Sequence, residues 1–309
     1  MKKTWILLAI LSLCGVMSMA QTKETHAFAE RDSTLYLDVH RPINPRADKA
    51  AVLAVFGGGF FTGERDNSYQ LAIADSLTNR GFTVISIDYR LGMKDAEMVK
   101  ANSSLLKATN LFQYCIEIAT EDCADAVAWV CKHAKELDID PSRIILTGSS
   151  AGAITILQLD YCRVNKLPLA SALPEGWKPA ALIPYSGGIL CKKRDLHYDA
   201  QPAPTLLMHG DKDKIVAYKK FGMPFNKKMF GSKTIDKVMN KQGIPHWFIR
   251  FEGIGHEVAA WFPGSVDIFC CFADLALNGR ESFLNATMKD AELHPTEWTN
   301  LNLFKLYKR

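Results

Sequence analysis

No CxxC pair occurs in this chain, and no cluster of cysteine and histidine has the spacing of a zinc site. Nor is there a large excess of one charge: 37 Lys and Arg stand against 33 Asp and Glu, a formal charge of +4. So small a surplus gives no basic footprint for a nucleic-acid partner. Beyond the first twenty residues the sequence lacks any apolar run long enough to span a bilayer. It shows no compositional sign of disorder, collagen or a repeat array. Together these absences exclude a zinc-stabilised fold, a nucleic-acid binder and a multi-span membrane protein.

What is present begins at the N-terminus. Lys2 and Lys3 precede the apolar run WILLAILSL, and SMA supplies small residues where a signal peptidase requires them. Residues 1–20 therefore read as a secretory signal peptide cut between Ala20 and Gln21. The run is too short for a spanning anchor. Lipid attachment at Cys14 is the alternative, although Leu13 stands where that processing site needs a small residue. The expectation is an exported protein, periplasmic or secreted, with no stable membrane insertion after cleavage. Cleavage removes two lysines and no acid, which lowers the formal charge to +2. It also leaves Cys115, Cys123, Cys131, Cys162, Cys191, Cys270 and Cys271, an odd number, so at least one stays unpaired. Cys123 and Cys131 share a helical face but lie too far apart along it to bond each other. Buried thiols are the expected role for most of them.

STLYLDVHRP alternates like an edge strand. AAVLAVF, FTVISID, RIILTG, AALIPYS, PTLLMHG and HWFIRFE are short, nearly continuous apolar runs, as expected of strands buried on both faces of a parallel sheet. Helical periodicity separates them in NSYQLAIADSLTNRG, EDCADAVAWVCKHAKEL, AGAITILQLDYC and GSVDIFCCFADLAL. This alternation predicts an α/β fold over residues 21–278, with a mostly parallel central sheet and helices on both faces. Two segments break the rhythm. Residues 93–120 are apolar and aromatic, and read either as a lid or insertion or as an extra helix on the sheet edge. Residues 279–309 form a C-terminal extension without a clear period or an assignable role. The basic stretch KKFGMPFNKKMFGSK reads as a solvated helical face.

The chemistry concentrates in a few loops. GSSAG, with Ser150 at its centre, has the G-x-S-x-G pattern of a nucleophile on a sharp strand-to-helix turn. Neighbouring backbone passes close there, so Gly148 and Gly152 must be small. A serine hydroxyl is a poor nucleophile without a positioned base. His256, in the glycine-flanked loop FEGIGHE after a strand, is the candidate base, while His209 at the end of TLLMH reads as structural. The base needs an acid to orient it. In HGDKD the candidate acid is Asp213, with Asp211 read as a turn former. FGGGFFTG follows a strand, so the amides of Gly58 and Gly59, with that of Ala151, are candidate donors to an oxyanion. Gly58 and Gly63 also have P-loop spacing, but Glu64 stands where that motif requires Lys. No metal or organic cofactor is called for.

With DYRL and DIDPSRI added, the set FGGGF, GSSAGA, HGDKD and GIGHE makes the chain resemble the α/β-hydrolases, in the esterase/lipase branch with an HGGG-type oxyanion loop. The likeness runs in family order from about residue 34 to about residue 278. It implies the α/β-hydrolase fold, a Ser150–Asp213–His256 triad, an acyl-enzyme and carboxylic esters as substrates. By analogy with carboxylesterases and with acetyl-xylan or feruloyl esterases, small-molecule esters or acyl groups on polysaccharides are expected substrates. The chain departs from the family pattern at Phe56, where His is usual. A serine exopeptidase, a lipase with its lid at Leu105 to Ile118, and a ligand-binding pseudoenzyme are the rival readings.

Overall fold

Runs of apolar residues with no polar face can only be stable inside, and here they build the middle of a nine-stranded sheet. The computed structural model describes residues 22–93, 104–192, 195–289 and 293–302. The segment 1–20 read as an export signal lies outside the described residues, as do residues 94–103 of the candidate lid. In chain order the sheet strands are β1 (Thr22–Glu30), β2 (Thr34–Arg41), β3 (Ala51–Val55), β4 (Thr83–Ile87), β5 (Ile144–Ser149) and β6 (Ala181–Tyr185). After β7 (Gly188–Cys191), which belongs elsewhere, come β8 (Thr205–Gly210), β9 (Lys220–Gly222), β10 (Lys228–Gly231), β11 (His246–Phe251) and β12 (Leu284–Met288). The large sheet has the order β1-β2-β4-β3-β5-β6-β8-β11-β12. Its pairings are parallel from β4 to β12, and antiparallel only where β2 meets β1 and β4.

Every residue of β3, β4, β5, β6 and β8 is buried. The period of two sends Leu53 and Val55 into the core on one face, and Val52 and Ala54 into the core on the other. Helices α1 (Ser68–Thr78) and α5 (Phe262–Leu277) cover the second face. Helices α2 (Leu105–Lys132), α3 (Ala151–Val164) and α4 (Ser232–Lys241) cover the first. Asn67 starts α1 by accepting the free N–H groups of Tyr69 and Gln70. No described helix is long and apolar enough to cross a membrane.

Several elements differ from the sequence reading. Strand β1 was not anticipated, and its pairing makes β2 an inner strand. Its sequence TKETHAFAE is mostly polar; backbone pairing with β2, side-chain bonds from Lys23 and Thr25 to Asp38 and from Arg41 to Glu24, and the packing of Phe28 hold it in place. Leu105 to Thr120 is the first half of α2, which continues unbroken to Lys132 and buries Phe112, Cys115, Ile116 and Ala119. The sheet does not stop at residue 278, because β12 adds a parallel strand beside β11. The basic stretch is not a helical face. It forms β9 and β10, which with β7 make a small antiparallel sheet of order β7-β10-β9 before α4 begins. Among the described residues no two cysteines are joined by a disulfide, and burial pushes the Cys115 thiol up to about 12.

Candidate active site

In an open parallel sheet the loops that leave the carboxyl ends of neighbouring strands converge on one crevice. The glycine loop follows β3, Ser150 follows β5, Asp213 follows β8 and His256 follows β11. These strands are close neighbours in the sheet order, with only β6 interposed between β5 and β8.

Ser150 sits between β5 and α3 with φ 51° and ψ −115°. A non-glycine residue held there costs roughly 1–3 kcal/mol and persists only where its surroundings fix it. Its N–H donates to the carbonyl of Tyr185 on β6 at 2.9 Å, and its carbonyl accepts from Ile154 at 2.9 Å. Gly152 is obligatory: a Cβ there would stand 2.1 Å from the carbonyl oxygen of Val55 and 2.6 Å from that of Phe56. The turn is therefore pressed against the end of β3, where the glycine loop begins.

His256 is buried, with Nε2 2.8 Å from Ser150 Oγ and Nδ1 2.7 Å from Asp213 Oδ2. A carboxylate only accepts, so Nδ1 carries the proton and Nε2 is free to accept from the hydroxyl. Asp213 is buried as well, and its Oδ1 accepts the N–H groups of Ile215 at 2.9 Å and Val216 at 3.0 Å. Burial alone would raise its pKa. The neighbouring His256, and then His209, outweigh that and hold the carboxyl well below the usual carboxylate range. His209 Nε2 lies 3.2 Å from Asp213 Oδ2 and 3.1 Å from the Val216 carbonyl, while its Nδ1 accepts from the Ser232 hydroxyl at 2.8 Å. Asp211 sits apart from this chain of bonds and accepts the Gly253 N–H at 2.9 Å.

The glycine loop folds back on itself. Gly58 (φ 127°) and Gly59 (φ 63°) take left-handed backbone, and the Gly58 carbonyl accepts from Phe61 and Thr62 at 3.0 and 3.1 Å. A Cβ on Gly57 would come within 3.4 Å of the Ser150 Cβ, so the loop lies directly against the serine turn. Ala151 opens α3, where an α-helix leaves its first N–H groups without internal acceptors. Phe56 is buried and stacks on Tyr89, with ring centroids 4.3 Å apart, and the Tyr89 hydroxyl donates to the Phe56 carbonyl at 3.1 Å. That tyrosine of DYRL is the brace of the loop.

Comparison with known proteins agrees with this architecture. The BD-FAE family model matches residues 37–104 and 109–159, spanning the glycine loop and the serine turn. Lipase 2 of Moraxella sp. (strain TA144) is 32% identical over 105 residues, 34% of this chain and 20% of that protein. An arylesterase of Saccharolobus solfataricus is 30% identical over 145 residues, 46% of this chain and 40% of that protein. The chain thus spans less than half the length of either relative. Esterase 2 of Thermogutta terrifontis, in its form phosphorylated by paraoxon, superposes with a TM-score of 0.56 at 19% identity, over 82% of this chain and 91% of that one. That likeness is one of fold.

The chain has the α/β-hydrolase fold and, over less than half of its length, is similar in sequence to esterases and lipases.

The chain also has features that no motif announced. A cavity of about 210 Å³ opens beside the acid loop, lined by Phe112, Ile154, Val216, Phe221, Met229 and Asn302 among others. Three of its lining residues touch the site elements: Ile154 bonds the Ser150 carbonyl, Val216 bonds Asp213, and Phe112 meets Phe60 of the glycine loop edge-on at 5.9 Å. The periodicity marks Phe112 and Ile154 as core residues and gives no sign that they also face a cavity. Nothing in the sequence marks Tyr89 as a brace, or His209 as a second partner of Asp213.

Proposed function

We propose that this protein is an exported serine hydrolase that cleaves carboxylic esters, with Ser150 as nucleophile, His256 as general base and acid, and Asp213 as the group that orients His256. The observation that carries the reading is the continuous line of hydrogen bonds from Ser150 Oγ through His256 to the buried Asp213, at 2.8 and 2.7 Å. The names of the relatives, a lipase and an arylesterase, agree with ester chemistry.

In this reading Ser150 Oγ attacks the ester carbonyl carbon as its proton passes to His256 Nε2. The carbonyl oxygen becomes an oxyanion that accepts from the amides of Gly58, Gly59 and Ala151. Collapse breaks the bond to the alkoxide, which takes the proton from His256 and leaves as alcohol. Water then repeats the sequence on the acyl-enzyme and releases the acid. Asp213 stays ionised throughout and stabilises the imidazolium. Phe56 does not disturb the loop, because the contact that braces it uses the Phe56 carbonyl, which any residue supplies. Acyl groups carried by polysaccharides are within the proposed substrate range, as are small-molecule esters.

The test is labelling of the purified protein with a fluorophosphonate, read by intact mass, beside Ser150→Ala. One adduct, lost in Ser150→Ala, is expected. A folded wild-type protein that takes no adduct would overturn the esterase reading and favour a ligand-binding role for the same crevice.

A further inference from the structure

The last described segment of the chain returns to the crevice. Glu257 directly follows His256 and is buried. Its Oε1 accepts four hydrogen bonds, from the N–H and hydroxyl of Thr296 at 2.7 and 2.7 Å and from those of Thr299 at 2.9 and 2.7 Å. Its Oε2 accepts the Gly255 N–H at 2.8 Å. Gly255 packs so tightly here that a Cβ would stand 2.4 Å from the Thr299 Cα. These bonds lower the Glu257 pKa although burial opposes them, so the clamp is an ionised carboxylate. The Thr296 hydroxyl also accepts the Trp298 N–H at 3.1 Å and starts the helical turn Glu297–Asn300.

The clamped turn sets the Trp298 indole beside His256, with ring centroids 6.1 Å apart and planes 25° from parallel. Beyond it, Asn302 joins the cavity wall. Trp298 nevertheless remains 42% exposed. A large aromatic surface held open by five hydrogen bonds on its anchor is available to a ligand.

Proton transfer decides which half of an ester would meet it. His256 Nε2 must return its proton to the departing alkoxide, so the alcohol comes to the His256 side of the crevice. We propose that Trp298 is a platform for the alcohol half of the ester, and that it favours alcohols presenting a ring with a flat apolar face, either an aryl group or a sugar ring. This rests on the esterase reading above. It adds a specificity residue that touches neither the nucleophile nor the oxyanion.

The experiment measures kcat/KM of the full chain for three acetates that differ only in the alcohol: ethyl acetate, phenyl acetate and an acetylated monosaccharide. Trp298→Ala is expected to lose about tenfold on one or both ring-bearing acetates, through KM, and less than about twofold on ethyl acetate. Trp298→Phe is expected to recover most of the loss. The two ring substrates separate the aryl from the sugar source. Fluorophosphonate labelling, which releases fluoride and no ring, is expected at the wild-type rate in Trp298→Ala. Equal loss on all three acetates, or none, would overturn the platform while leaving the esterase reading intact. A wild type that neither labels nor hydrolyses would overturn both.

Discussion

His256 Nδ1 and His209 Nε2 approach the same oxygen, Oδ2 of Asp213, at 2.7 and 3.2 Å. Two imidazoles therefore set the direction of one buried carboxylate. The second is itself fixed by Ser232 and the Val216 carbonyl. His209 is thus a positioning residue, acting on His256 only through Asp213. A hydrogen bond to a charged group contributes about 1.5–3 kcal/mol, so His209→Ala is expected to lower kcat roughly 10- to 100-fold. KM is expected to change little, and His209→Gln to recover part of the loss by keeping a donor. Steady-state kinetics on a chromogenic acetate checks this; a change confined to KM would remove His209 from the positioning role.

Removing the charge of Asp213 tests the relay itself. Asp213→Asn is expected to lower kcat by about 10⁴-fold, because the amide no longer selects the tautomer that leaves Nε2 free. Circular dichroism checks that the variant is folded, and a residual rate near wild type would exclude Asp213 as the orienting acid.

The crowding at the serine turn gives a steric test. Gly152→Ala places a methyl group 2.1 Å from one backbone oxygen and 2.6 Å from a second, neither of which can move without shifting β3. Loss of fluorophosphonate labelling and a destabilisation of about 1–3 kcal/mol are expected. Gly222→Ala is the control, since nothing lies within 4 Å of its Cβ and its backbone is unstrained. Chemical denaturation of the two variants side by side reads the difference.

Tyr89→Phe keeps the ring that stacks on Phe56 and deletes only the hydroxyl that donates to its carbonyl. The expected destabilisation is about 1 kcal/mol. A fall in kcat is expected with it, because the brace holds the loop whose amides are proposed to bind the oxyanion. An unchanged kcat with lowered stability would show that the loop keeps its shape without the brace.

Acid sensitivity follows from depressed carboxylates, of which Asp48 and Asp213 are shifted furthest. Asp48 is held down by its hydrogen bond to Arg46, with burial opposing and Arg143 adding to the effect; Asp213 is held down by His256 and His209 against its own burial. A carboxyl whose folded pKa lies below its unfolded one stabilises the protein above the unfolded value, and that contribution fades as pH falls toward the folded value. The melting temperature is therefore expected to decline as pH drops below about 3.9, the ordinary value for Asp. Asp48→Asn is expected to lower the melting temperature at pH 7 and to make its fall with acid shallower. Thermal melts from pH 7 to pH 3 measure both.

What could be read from the sequence depended on how each element is held. Strands β3 to β6 are buried on both faces, and that leaves continuous apolar runs that no other arrangement explains. Gly152 was legible because crowding tolerates nothing larger, and His256 and Asp213 because each follows an obvious strand. Strands β1 and β12 escaped notice because polar residues interrupt their sequences TKETHAFAE and LNATM, so neither shows the continuous apolar run of an inner strand. The unity of α2 was hidden because nothing in a helical period marks where one helix ends and another begins. Glu257 and Trp298 were invisible for a different reason: a carboxylate that binds backbone amides some 40 residues away obeys no local spacing.

The separation of Ser150 from His256 by 106 positions also orders events in time. A ribosome finishes the serine turn long before the imidazole exists, and the indole beside that imidazole comes later still. In the proposed mechanism Ser150 stays an ordinary alcohol until the strand before residue 256 has joined the sheet and brought His256 to it. On the proposed triad, a chain that ends before residue 256 has no base to activate Ser150.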